Sequence, residues 1–161
     1  MKLNRFTPHF MLDRLGRRHP WIWPDEYHFP TVAENAAKVA RAGGNVSLGA
    51  HGQLQGLGVH WELWAMAGEG GGEARRAMTP MEALRAATSV AADKLGFAPD
   101  LGTLEAGKLA DLLVLDADPL ADIHNSAKIR WVVKNGAVFE AETMRQLWPQ
   151  EHEPPAFFWR N

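Results

Sequence analysis

Cysteine is absent from the 161 residues, which excludes disulfides, thiol catalysis and thiolate-bound zinc. No apolar run approaches the ~20 residues that a membrane-spanning helix needs. An excess of one charge is also lacking. Seventeen Lys and Arg stand against 19 Asp and Glu, a net charge of −2, so neither nucleic acid nor an anionic membrane is expected as a partner held by bulk positive charge. The opening MKLNRFTPHFMLDRLGRR carries cations but no apolar stretch of signal-peptide length, and the default expectation is a cytoplasmic protein. The motifs HxH, HExxH, GxxxxGK[ST] and a nucleophile elbow are all missing. So are internal repeats.

What is present is close to an average globular composition, 46% hydrophobic and 22% charged. The length allows one domain or two small ones, with a division expected between residues 1–97 and 98–161. Residues 19–30, HPWIWPDEYHFP, hold three prolines without a clear period and read as irregular, packed through Trp21, Trp23 and Phe29. Arg14, Arg17 and Arg18 read as a solvated basic face. Thr31 and Glu34 then form a capping-box pattern, with Val32, Ala36, Val39 and Ala40 at helical spacing and Gly43-Gly44 as the stop. NVSLG (Asn45 to Gly49) reads as a short buried strand, the second half of an α-to-β unit.

A glycine-rich loop follows, and HWELWAM (His60 to Met66) reads as the start of a helix. GEGGGEARRA reads as a surface loop, with a phosphate cradle as the sharper alternative. Thr79, Pro80 and Glu82 open the clearest helix, whose predicted inner face is Leu84, Ala87, Thr88, Ala91 and Leu95, ending at Gly96. Farther on, DLLVLD and IRWVVK read as strands, and Asn135-Gly136 predicts a two-residue hairpin into AVFE. A brief helix is expected after Glu142, then a proline- and aromatic-rich tail.

Seven histidines are the natural place to look for chemistry. His51 follows the predicted strand within a glycine-rich turn, where parallel α/β folds gather their active sites. A histidine there titrates near neutral pH and can move protons or bind metal; the plain alternative is a loop histidine bonded to nearby backbone. His60 and Glu62 share one short segment, but their i, i+2 spacing does not put them on one helix face, so a structural role competes with a joint one. Asp116 and Asp118 read as turn formers before Pro119.

The second half resembles one family. MTPMEALRAATSVAADKLG, LGTLEAGKLADLLVLDADPL and IRWVVKNGAVFE, in order from Met78 to Glu140, are similar to the C-terminal end of metal-dependent amidohydrolases of the imidazolonepropionase and dipeptidase type. LGAHGQLQGLGVHWELW and the closing QLWP resemble a narrower branch, often fused to a Tol-type β-propeller. The resemblance implies α/β architecture: the C-terminal remnant of a (β/α)8 barrel plus part of the flanking β-sandwich. A complete barrel usually needs ~250 residues. The family hydrolyses amide and other C–N bonds through water activated by one or two divalent ions, commonly zinc. Its HxH and middle-strand ligands have no counterpart in this sequence, so no metal ligand is assigned and no cofactor is expected for the chain alone. Where the family carries an aspartate after the eighth strand, this sequence has His51.

The resemblance therefore makes His51 the candidate catalytic residue, with His60 and Glu62 beside it as the candidate substrate pocket. The expected substrate is a small amide, with activity absent until the barrel is completed. Unpaired strand edges and apolar faces recruit other chains, so the expected partner is a second copy or a complementing barrel chain. A non-catalytic oligomeric module and a truncated gene product are the competing expectations.

Overall fold

The computed structural model describes residues 5–16, 23, 26, 28–50, 56–68 and 77–160. His51, Trp21, Arg17, Arg18 and most of the glycine-rich GEGGGEARRA segment lie outside them. Helix α1 spans His9–Gly16, α2 Phe29–Arg41, α3 Leu57–Met66, α4 Pro80–Ala87 and α5 Ser89–Lys94. Four strands follow: β1 Leu112–Leu115, β2 Ile129–Lys134, β3 Ala137–Glu140 and β4 Gln146–Trp148. The result is a mixed α/β chain with one small antiparallel sheet in the order β1-β2-β3-β4.

Helix α2 starts earlier than the Thr31 capping box predicts. Pro30 lies in its first turn, His28 is the cap residue, and the Val32 amide already bonds the His28 carbonyl. A proline loses nothing there, because the first-turn amides have no intrahelical acceptor. Thr31 is thus inside the helix. The buried face is correspondingly Ala33 and Ala37, whereas Val32 and Val39 are each 51% exposed. The expected cap is thus corrected, and of the expected stripe Ala36 and Ala40 pack on the core while Val32 and Val39 do not.

Helix α3 buries Leu63 and Met66, and the Met78 amide returns to the Met66 carbonyl at 3.0 Å. At α4 the capping box forms as expected: the Glu82 amide donates to Thr79 Oγ1 at 3.2 Å, and the Thr79 amide donates to Glu82 Oε2 at 2.7 Å. The predicted continuous helix to Gly96 breaks at Thr88, whose backbone leaves the helical region (φ −125°, ψ −89°). Its hydroxyl donates to the Leu84 carbonyl at 2.7 Å, a local bond that competes with the helical ladder. The turn changes the inward face after α4. Ala83, Ala86 and Ala92 are buried, and Leu95 is 70% exposed rather than part of an inner stripe.

NVSLG is also corrected, since it forms no strand among the described residues. A parallel strand needs a hydrogen-bonded neighbour on at least one side, and none is described for it. Val46 and Leu48 still pack against the helical core, and the Leu48 amide bonds the Ala86 carbonyl at 3.3 Å.

The sheet follows the predicted pattern more closely. Asn135 (φ 49°) and Gly136 (φ 81°) make the left-handed two-residue turn between β2 and β3. β4 stands where a brief helix was expected. Met144 at φ 63° reverses the chain. The Glu140 amide bonds the Arg145 carbonyl at 2.9 Å, and Thr143 Oγ1 donates to Glu140 Oε2 at 2.5 Å, closing a third antiparallel pairing. Beyond it, Gln146 bridges to His152, and Phe157 meets Phe6 edge-on with ring centres 5.8 Å apart.

The core cluster is drawn from the helices, Met78 and Ile123; no strand residue belongs to it. Strand register places Leu112, Val133 and Val138 in one row and Leu113, Val132 and Phe139 in the next. Successive rows face opposite sides of a sheet, so both faces are apolar, and every strand residue keeps some exposure.

Candidate functional site

Helix α3 carries both pocket candidates in different directions. Two residues advance a helix by ~200°, and the contacts reflect it. Glu62 Oε2 accepts the Gly49 amide at 2.9 Å. The carboxylate thereby ties down the 45–50 segment that leads toward His51, which is itself outside the described residues. His60 faces the opposite way, with Nδ1 3.1 Å from Ser126 Oγ. His60 and Glu62 do not converge on one another.

Ser126 belongs to a 3-10 turn, Ile123–Ala127, between β1 and β2. It is only 5% exposed. Trp64 Nε1, one turn on from His60, donates to the same Oγ at 3.0 Å. The Trp64 ring also lies 4.7 Å from that of His124, whose Nδ1 is 2.7 Å from Asp122 Oδ1. The first carboxylate oxygen also accepts the His124 amide at 3.0 Å. These bonds hold the Asp122 carboxyl below its ordinary pKa, with the His124 side chain as the largest cause. Burial pushes His60 below the ordinary histidine value, and no charged partner contributes.

An indole N–H only donates, so Ser126 Oγ accepts from Trp64. Ser126 makes no other hydrogen bond among the described residues than those to Trp64 and His60. Among the described residues the one acceptor within reach of its own proton is His60 Nδ1, an arrangement that fits a neutral His60 protonated on Nε2. Ser126 lies 66 residues from His60 and 62 from Trp64, and no spacing rule links positions that far apart. Sequence reasoning accordingly missed Ser126, Trp64, His124 and Asp122.

A concavity of about 380 Å³ opens beside β2, lined in part by Asp116, Lys128, Arg130, Trp131, Glu140 and Glu142. Arg130 and Asp116 already pair with each other there, leaving mixed charge without a dominant sign. Among the described residues, no three His, Asp or Glu side chains gather closely enough to hold a metal ion. A resident divalent ion therefore has no fitting ligand set in that part of the chain.

The profile of the amidohydrolase family matches residues 30–138, from α2 through β3. The chain belongs to the amidohydrolase family. Solved structures of similar fold include an Xaa-Pro dipeptidase with bound methionine in its active site, 28% identical, TM-score 0.56, covering 69% of this chain and 26% of its own. A prolidase complexed with N-methylphosphonate-L-proline is 28% identical, TM-score 0.52, covering 67% and 26%. Molinate hydrolase is 29% identical, TM-score 0.50, covering 64% and 25%. This amidohydrolase chain thus spans about a quarter of the length of the structures it matches. No curated protein sequence matches it.

Proposed function

We propose that this chain is the C-terminal portion of a hydrolase of amide C–N bonds, the last barrel elements followed by sandwich strands, and that it acts only when the rest of the fold is supplied. The observation that carries this reading is the 30–138 family match in a chain covering about a quarter of the matched structures. Peptide bonds to proline are the first substrates to try, because two of those structures are an Xaa-Pro dipeptidase and a prolidase. The two-faced sheet supports the same view: its apolar rows are only partly buried among the described residues, which suits a sheet that packs against further polypeptide. That polypeptide is a complementing barrel chain or a second copy of this one.

Within this reading, His51 stands at the position of the family aspartate and serves the reaction as a base. Glu62 sets the approach of its segment through the Gly49 amide. The divalent ion that the family implies is left to the remainder of the fold, because the described residues offer it no ligand set. The finer branch, with a Tol-type β-propeller ahead of the hydrolase, rests on LGAHGQLQGLGVHWELW and QLWP.

The test is reconstitution. A polypeptide supplying the missing barrel strands should restore cleavage of an Xaa-Pro dipeptide when mixed with this chain. His51→Ala should then lower turnover about 100-fold or more, the usual contribution of a general base. Unchanged turnover in that variant removes the role given to His51.

A further inference from the structure

We propose that His60, Ser126 and Trp64 form a proton-operated latch between the helical layer and the sheet: closed while His60 is neutral, released when His60 takes up a proton. The proposal does not depend on the catalytic reading. It rests on where the cluster sits. Helix α3 packs on the 3-10 turn Ile123–Ala127, which in turn packs on β1, so that among the described residues this turn joins helices to sheet. At that joint, one buried hydroxyl accepts from Trp64 Nε1 at 3.0 Å and faces His60 Nδ1 at 3.1 Å.

Protonation of Nδ1 reverses the second bond. Nδ1–H then points at an oxygen that already accepts the indole proton, and the Ser126 hydroxyl proton is left without an acceptor in a side chain 5% exposed. A half-buried imidazolium also has no carboxylate bonded to it among the described residues. The elements packed against α3 carry several ionisable groups. On α2 they are Glu34, Lys38 and Arg41; on α4, Glu82 and Arg85; at the 3-10 turn, Asp122, His124 and Lys128; on α3 itself, Glu62. Lys38 pairs with Glu34 at 3.3 Å, Arg41 with Glu82 at 2.8 Å, and His124 with Asp122 at 2.7 Å, while Glu62 holds the Gly49 amide.

The sign follows from burial. His60 sits below its ordinary value in the folded chain, so its contribution is fully present above the unfolded value of about 6.5. It is lost as pH falls from there toward the folded value. His124, whose ring lies 4.7 Å from that of Trp64, bonds Asp122 instead of Ser126.

The experiment is a pH titration of the full chain by nitrogen and proton NMR of the histidine rings and the Trp64 indole, the latter assigned with Trp64→Phe. The expected result has three parts. His60 carries its proton on Nε2 above pH 7. Its midpoint lies below 6.5, with the Trp64 indole resonance moving on the same curve. In Ser126→Ala the indole no longer follows His60, while in His124→Gln it still does. A proton on Nδ1 of His60 at neutral pH overturns the latch, and that reading needs no variant to fold. So does a Trp64 resonance that tracks His124 instead.

Discussion

Thr79, Glu82 and Arg41 show how much one carboxylate can join. Glu82 accepts the Thr79 amide in the capping box and receives Arg41 Nε and Nη2 from α2 at 3.0 and 2.8 Å. The Arg41 guanidinium, the largest cause, and the Thr79 amide together bring its carboxyl down to about 2. A depressed carboxyl contributes stability that is present above its unfolded value and lost as pH falls through the folded one. Unfolding midpoints of the native chain should therefore decline between about pH 4.5 and 2, and Glu82→Gln should flatten that decline; an identical acid limb in the variant would contradict the assignment. Thr79→Ala should cost about 1 kcal/mol in denaturant unfolding. Both residues were legible in the sequence because a cap is a four-residue motif. His60 and Ser126 were not, because their pairing depends on the whole path of chain between them.

Within elements, local chemistry was readable wherever it was self-contained. Asn135-Gly136 needs no tertiary partner to favour its turn, and β2 and β3 formed as predicted. The errors share a cause. The α2 stripe, the Thr88 break and β4 were each decided by bonds or packing outside the window that periodicity inspects. Gly102 illustrates such a constraint. It holds φ +95°, and an added Cβ would stand 2.6 Å from Ala92 Cβ and 3.0 Å from Ser89 Cα, where the 97–111 loop lies on α5. Gly107 has a similar φ of +93° with open space around it. Gly107→Ala should cost about 1 kcal/mol of backbone strain, whereas Gly102→Ala should cost about 1–3 kcal/mol more through overpacking. Equal losses in thermal or denaturant unfolding would show that the loop does not lie against α5.

At the scale of the molecule, the helices make a small alanine-rich core and the sheet remains apolar on both sides. Pairs such as Leu113 with Val132 and Val132 with Phe139 lie on the face opposite Leu112, Val133 and Val138. Apolar rows on two faces suit a sheet covered twice. Light scattering at micromolar concentration should accordingly give a mass above that of one 17.8 kDa chain; a stable, compact monomer would contradict the proposed partner. The family was legible from long linear motifs. The α/β class followed from that resemblance, whereas the arrangement of α2 to α5 against the sheet became visible only with the coordinates.

The most direct test of the proposed function is the activity of this polypeptide by itself. Supplied with zinc and an Xaa-Pro dipeptide, the isolated chain should release no amino acid above the uncatalysed background. Turnover in the ordinary enzymatic range, about 1–1000 per second, would show that this chain alone holds a complete hydrolytic centre and would contradict the account.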